Sequence, residues 1–404
     1  MQSIYLDHNA TTPTRPEVVE AMSRCYAENY ANPASQHRPG QQARRALEGA
    51  RERIAEILDA NLAPPRRDRL IFTSGGTEAN NLAVLGIAQA GGNSANSREE
   101  AGNGQEPRTR QPGQVIISAG EHQSIIEPAE HLLELGWRLD TLALSSQGVV
   151  HVDQLAPLLA AQPSITRLVS VLLGNHETGV LQPIVELSAI CNQAHVPLHT
   201  DAVQVVGKLP VSFRRLGVAA MSIAAHKFQG PLGIGALILR HDVPLAPLFF
   251  GGHQQAGLRP GTESAALAVG MATALDLWQR EQDEHAQRLR GLRDRFEAGL
   301  RAGLPNVVMH GVGVERLPQT CNVAFPGLDG QVLLMALDLA GIACSVGSAC
   351  SSGSTELSPT LRAMDLSNAL VAASLRFSFG ATTTQPEIDE AVRRIVHVVT
   401  ELRG

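Results

Sequence analysis

Between positions 69 and 240, short apolar runs alternate with stretches of helical periodicity. Residues 70–73 (Leu-Ile-Phe-Thr) predict a strand that leads through Ser74-Gly75-Gly76-Thr77-Glu78 into a helix ending near Ala88. Residues 115–118 predict a second strand, followed by a helix over about 124–135. Residues 167–173 read as a buried strand, 184–194 as a helix, 196–200 as a short strand and 234–239 as another strand. Strands spaced by helices of this length predict a mostly parallel sheet covered on both faces. Past Thr262 the pattern changes. A long helical run reaches about Ala302, strand-like pieces follow at 321–325 and 374–378, and an amphipathic helix runs from Pro386 to about Leu402. The expected organisation is a large α/β domain over 14–261 and a smaller α+β domain made of 1–13 and 262–404. Residues 90–113 interrupt the pattern with a polar, Gly- and Asn-rich stretch, expected to be a flexible surface insertion.

Composition narrows the classes of function. The chain has 404 residues, an apolar share of 44% and a net charge of -6, values ordinary for a globular protein. No basic stripe with interleaved aromatics is present, so nucleic acid is not an expected partner. No apolar run is long enough to predict a membrane span, and the start carries no signal-peptide pattern, so a cytoplasmic protein is expected. The five cysteines are widely spaced with no CxxC pair, which predicts neither a zinc site nor a disulfide framework. Only two lysines occur, Lys208 and Lys227, among 33 basic residues.

That scarcity draws attention to Lys227, which ends an apolar run and precedes the turn Gln229-Gly230-Pro231. A lysine amine can hold a carbonyl cofactor as a Schiff base, whereas arginine is too strongly protonated. Lys208 reads as an ordinary surface or loop residue. The turn at Gly76 and Thr77 points backbone amides and a hydroxyl at an anion such as phosphate, or is simply a capped helix start. Asp201, at a strand end, either keeps a cofactor's ring nitrogen protonated or caps the next helix. His122 can stack on a ring or move protons, or be structural. Arg376, inside an apolar strand, needs a carboxylate, supplied by a substrate or by an internal salt bridge. Cys350 lies in the small-residue stretch Gly347-Ser348-Ala349-Cys350-Ser351-Ser352-Gly353, a setting that suits a mobile, exposed thiol.

These pieces form one chemical set, and in order along the chain they resemble the cysteine desulfurases, the NifS-like members of the class V aminotransferase group. The resemblance is carried by Tyr5-Leu6-Asp7-His8-Asn9-Ala10-Thr11-Thr12-Pro13, Asn32-Pro33-Ala34-Ser35, residues 74–81, Asn175-His176-Glu177-Thr178-Gly179, Thr200-Asp201-Ala202-Val203-Gln204, His226-Lys227, Arg259-Pro260-Gly261-Thr262 and Gly347-Ser348-Ala349-Cys350. It implies the fold type I architecture of pyridoxal 5'-phosphate enzymes. It also implies removal of sulfur from L-cysteine to give L-alanine and a persulfide on Cys350, with a selenocysteine lyase or another enzyme of the class as the alternative.

The resemblance assigns Lys227 as the Schiff-base lysine, Asp201 as partner of the ring nitrogen, Gln204 as contact to the ring hydroxyl and His122 as the stacking ring. Gly76, Thr77 and His226 match phosphate ligands. Thr262 matches a phosphate ligand lent by the other subunit of a homodimer. Asn32, Asn175 and Arg376 match groups that hold the substrate. The implied partner is a sulfur acceptor, an iron–sulfur scaffold or a thiolation relay. Two positions depart from the family pattern. Ala224 stands where a phosphate-binding serine is usual, so either cofactor affinity is weaker or Ser222 or a water compensates, and His176 stands where asparagine is common.

Overall fold

A computed structural model describes residues 3–90, 112–162, 165–347 and 357–404. Its strands are β1 (Ile4–Tyr5), β2 (Arg69–Thr73), β3 (Gln114–Ser118), β4 (Arg138–Leu142), β5 (Thr166–Ser170), β6 (Leu198–Asp201), β7 (Ala220–Ala224), β8 (Gly235–Leu239), β9 (Val308–Met309), β10 (Thr320–Ala324), β11 (Ile342–Ala343) and β12 (Ser374–Ser378). Seven of them form one sheet in the order β2-β8-β7-β6-β5-β3-β4. Strand β8 runs antiparallel to both neighbours, and the remaining pairings are parallel. The mostly parallel sheet is therefore as the alternating pattern predicts. The central strands β3, β7 and β8 are buried at every position, so their side chains are apolar or small on both faces.

Two layers of helix enclose the sheet. One core holds Ile116, Val169, Leu198, Met221, Ile223 and Ile238 against helices Pro16–Glu28, Arg38–Ile57 and Ala265–Gly303. The other face packs Ile71, Ile117, Leu168 and Leu237 on helices Gly76–Ala90 and Gln123–Glu134. Arg38–Ile57 buries Ala43, Leu47, Ala50 and Ile54. Their spacing of three and four residues draws one apolar stripe along the helix.

A separate core joins the two chain ends. It contains Ile4 and Leu6 with Leu292, Phe296, Phe325, Phe377 and Ile395. Here β12-β10-β9 form an antiparallel sheet and β1 pairs with β11. The 39-residue helix Ala265–Gly303, about 58 Å long at 1.5 Å per residue, serves both cores. Its first half buries Met271, Leu275 and Trp278, and its second half Leu292, Phe296 and Leu300. The closing helix Gln385–Arg403 starts on Thr384, whose hydroxyl and the Glu387 carboxylate form a reciprocal capping box.

The sequence reading falls short at several elements. The buried run 167–173 leaves the sheet after Ser170. Helices Pro16–Glu28, Arg38–Ile57 and Gly330–Leu339 and the edge strand β4 were not anticipated. β4 exposes or half-exposes four of its five residues, so it lacks a buried strand's apolar signature. The insertion expected at 90–113 falls mainly on residues 91–111, which lie outside the described residues.

The rings of Phe377 and Phe379 lie 5.0 and 5.3 Å from that of Phe296. Phe296→Ala is expected to cost about 3–5 kcal/mol, measured as a lower urea midpoint of the cofactor-free protein.

Candidate active site

In a parallel sheet the segments leaving the strand C-termini converge on one edge, where open α/β folds place their chemistry. Here β2 runs out into Gly76 and Thr77, β3 into His122, β6 ends at Asp201 and β7 leads to His226 and Lys227. All of these residues line one cavity of about 300 Å³, together with Asn9, Asn80, Gln204, Ala224, His176 and Arg376. The last of these comes from β12 of the other core, so the cavity opens where the two cores meet.

Lys227 sits in a short turn after β7. Its Nζ donates to the carbonyls of Asn9 at 2.6 Å and Ala10 at 2.9 Å. Asp201 Oδ1 accepts the Val203 amide at 2.9 Å, and Oδ2 accepts from Asn80 Nδ2 at 2.7 Å. The segment after Asp201 is a turn and not a helix, so the helix-capping reading does not hold, and Asp201 lines the cavity. Asn80 also donates to Ser124 Oγ at 2.8 Å, and Ser124 Oγ lies 2.8 Å from His122 Nδ1. His122 caps helix Gln123–Glu134, its Nδ1 accepting the Ser124 amide at 3.1 Å. A neutral ring so held keeps its proton on Nε2. Its edge meets His176 at 5.1 Å and 79°.

Burial dominates the electrostatics. It holds His226 down to about 4, with help from Lys227 and Lys208, and holds His176 well below its ordinary value. Both rings are neutral at neutral pH. Glu121, between His122 and the end of β3, is pushed up to about 8 by burial. Its Oε1 accepts Ser118 Oγ at 2.5 Å and the Leu172 amide at 2.9 Å, tying β3 to the segment after β5. Sequence reasoning missed Glu121 and Asn80. Both lie inside the Gly-Glu-His and Thr-Glu-Ala-Asn segments already singled out, but only the fold turns them inward.

The residues fit pyridoxal phosphate. Gln204 donates through Nε2 to the Asn9 carbonyl at 3.0 Å, while its Oε1 is buried without a hydrogen-bond partner. An acceptor so placed suits a ring hydroxyl. A Cβ on Gly76 would lie 2.9 Å from Val203 Cγ2, so this helix start has no room for a side chain. Backbone amides at the start of helix Gly76–Ala90 suit a phosphate.

Other expected site residues lie elsewhere. Asn175 is not among the lining residues. Its Oδ1 accepts the amides of Glu177 and Thr178, each at 2.9 Å, and its Nδ2 donates to the Gly120 carbonyl at 3.0 Å. Asn32 is exposed and caps its own turn through Ala34 N at 2.9 Å. Thr262 is exposed and does not line the cavity of its own chain. Ser222 bonds His199 Nε2 at 2.9 Å and is no substitute for the hydroxyl missing at Ala224. Arg376 lines the cavity and also forms the internal salt bridge, Nη2 to Asp7 Oδ1 at 2.7 Å, with Nη1 donating to the His176 carbonyl. Cys350 lies outside the described residues.

The reading of Lys208 as an ordinary surface or loop residue is overturned. It is 4% exposed, and its Nζ donates to the main-chain carbonyl of Lys227. Burial, then the neighbouring Lys227 charge, lowers its ammonium from 10.5 to about 7.

Fold and cavity together define a type I pyridoxal-phosphate enzyme, with a lysine, an acid and a histidine at one sheet edge. Residues 4–391 match the family Aminotransferase class-V, and the chain belongs to that family. It is 38% identical over 402 residues to a protein named "Cysteine desulfurase IscS" from Dictyoglomus turgidum, covering 100% of this chain and 96% of that one. It is 40% identical over 401 residues to "IscS-like cysteine desulfurase" from Mycobacterium tuberculosis, covering 99% and 97%. Among solved structures, a NifS-like protein from Rickettsia africae superposes with a TM-score of 0.86 at 29% identity, covering 99% of this chain and 100% of that one.

The Lys208 assignment predicts a pH dependence. Below pH 7 folded and unfolded states are both protonated at Lys208, and the folded state bears the full cost of a buried ammonium. Between about 7 and 10.5 only the unfolded state binds the proton, so stability rises with pH across that window. Lys208→Met is expected to stabilise most below pH 7, with the advantage shrinking towards pH 10.5. Urea midpoints of both proteins across that range check it.

Proposed function

We infer that the chain is a pyridoxal-phosphate-dependent cysteine desulfurase, which takes sulfur from L-cysteine, releases L-alanine and passes the sulfur to an acceptor protein. The observation that carries the reading is the convergence of Lys227, Asp201, His122, Gln204 and Arg376 on one cavity, in a chain whose full length matches proteins of that name.

Bound in this cavity, pyridoxal phosphate supplies a carbonyl for amine capture and a ring that takes up the electron pair left by loss of a proton. Lys227 is the amine that holds it and then moves the substrate's α-proton. Asp201 keeps the ring nitrogen protonated, and its bond from Asn80 fixes the carboxylate for that task. His122, fixed as the cap of helix Gln123–Glu134, would stack on the ring. Thr77, His226 and the helix start at Gly76 hold the phosphate, without the hydroxyl that Ala224 lacks. Arg376 steers the substrate carboxylate, sharing its guanidinium with Asp7.

Sulfur transfer falls to Cys350. Burial raises the thiols of Cys25, Cys191, Cys321 and Cys344, so none of these offers a thiolate near neutral pH. Cys350 thiolate attacks the substrate sulfur. The substrate C–S bond breaks, its electron pair stays on carbon and is protonated, and an S–S bond forms as the persulfide. The persulfide goes to an iron–sulfur scaffold or a thiolation relay. Four unpaired thiols suit the reducing cytoplasm.

The working unit is a homodimer in which Thr262 serves the partner's phosphate. Thr262 is exposed, and twelve to thirteen residues before it in sequence two adjacent rings, Phe249 and Phe250, are 54% and 90% exposed. Adjacent exposed aromatic rings suit a subunit contact. Incubation with cysteine is expected to give alanine and a mass increase of one sulfur on Cys350. Cys350→Ala is expected to keep the cofactor absorption and lose sulfide release. Sustained turnover by that variant overturns the reading.

A further inference from the structure

Lys208 has no part in the chemistry above and does not line the large cavity. It faces a smaller crevice lined by Lys227, Phe228, Trp278, Glu281 and His285. It reaches the Lys227 turn because Gly207 adopts φ +78, where an added Cβ would lie 2.1 Å from Phe228 Cβ. Three consecutive carbonyls of that turn are anchored. Ala225 O accepts Gly230 N at 3.0 Å. His226 O accepts Thr12 N at 3.0 Å and Thr12 Oγ1 at 2.7 Å. Lys227 O accepts the Lys208 amine.

The choice of residue is informative. Of 33 basic residues, 31 are arginine once the two lysines are subtracted. Arginine could donate the same hydrogen bond but could never lose its charge. Burial and the Lys227 amine set the Lys208 charge, and no carboxylate is among its influences. The surrounding titratable groups are His8, His226 and His285, each of which feels Lys208. Arg15, Arg288, Glu281 and Glu387 act on those histidines in turn. Burying two cations side by side under these conditions is costly.

We propose that Lys208 is a positioning residue for Lys227: its buried amine anchors the main chain of the cofactor lysine. Only the side chain of Lys227 then moves between the carbonyls of Asn9 and Ala10 and the cavity. The proposal rests on the reading of Lys227 as the cofactor lysine.

Two lysines make the test direct. Cofactor-free protein carrying ¹⁵N-labelled lysine side chains has one amine signal for each. Lys227→Met is expected to raise the pH midpoint of Lys208, because the charge opposing it is gone. An unmoved midpoint overturns the placement of the Lys208 amine beside the Lys227 turn. Lys208→Met is expected to slow capture of pyridoxal phosphate by about tenfold, the worth of one hydrogen bond, and to lower kcat for cysteine with KM unchanged. Lys208→Arg keeps the donor but cannot shed its charge, so it is expected to recover capture below pH 7, where Lys208 is itself protonated, and to fall short above it. Wild-type capture by Lys208→Met, or no recovery in Lys208→Arg below pH 7, overturns the anchor. If Lys208→Met does not fold, the Lys227→Met titration still decides whether the Lys208 amine sits beside that turn, and Lys208→Arg decides the anchor. Wild-type protein that captures the cofactor but leaves cysteine intact would sink the desulfurase reading without touching the lysine result.

Discussion

The site depends on one strap of chain, residues 7–12, threaded between the two cores. Asp7 holds Arg376 at 2.7 Å. The Asn9 main-chain amide donates to Ser378 Oγ at 2.8 Å, and Asn9 Nδ2 donates to Thr320 Oγ1 at 2.9 Å. These contacts fix the strap to the sheet that joins the chain ends. Its other side faces the large sheet: Asn9 and Ala10 receive the Lys227 amine, Asn9 O receives Gln204, and Thr12 holds the His226 carbonyl. Lys227 and Arg376 belong to different cores, and this strap sets the distance between them. Loosening it would leave both cores folded and the cavity out of register.

Much of this was legible in the sequence because chemistry at a parallel-sheet edge is local. Gly76-Thr77, Gly120-Glu121-His122, Asp201 and His226-Lys227 each follow an apolar run within a few residues, so strand pattern and site motif are read together. Arg376 was legible for another reason, since a guanidinium in an apolar strand demands a partner. Sequence alone could not decide between substrate and salt bridge there, and the structure supplies Asp7 while leaving the side chain on the cavity wall.

What stayed illegible depends on tertiary direction. Asn175 sits in the right motif but turns its amide back on its own loop, and the neighbouring His176 faces the cavity instead. Ser222 shares a strand face with Ala224, yet its hydroxyl belongs to His199, deeper in the sheet. Lys208 looked like a loop residue because Gly207-Lys208-Leu209-Pro210 has turn composition. Composition marks a turn but not whether the turn is covered, and here Phe228, Trp278 and the helix carrying His285 cover it.

Burial explains why the cavity can assign one role to each ionisable group. Desolvation keeps His226, His176 and His199 neutral and raises Glu121 to about 8, which removes bystander charge from the walls. Arg376 is paired with Asp7, and Asp201 accepts a hydrogen bond at each oxygen. A cofactor that works by moving electrons through its ring needs few competing fields. The same desolvation makes a second buried amine tolerable only if it can be neutral. That is a reason for an arginine-rich chain to keep lysine at the position that holds its cofactor lysine in place.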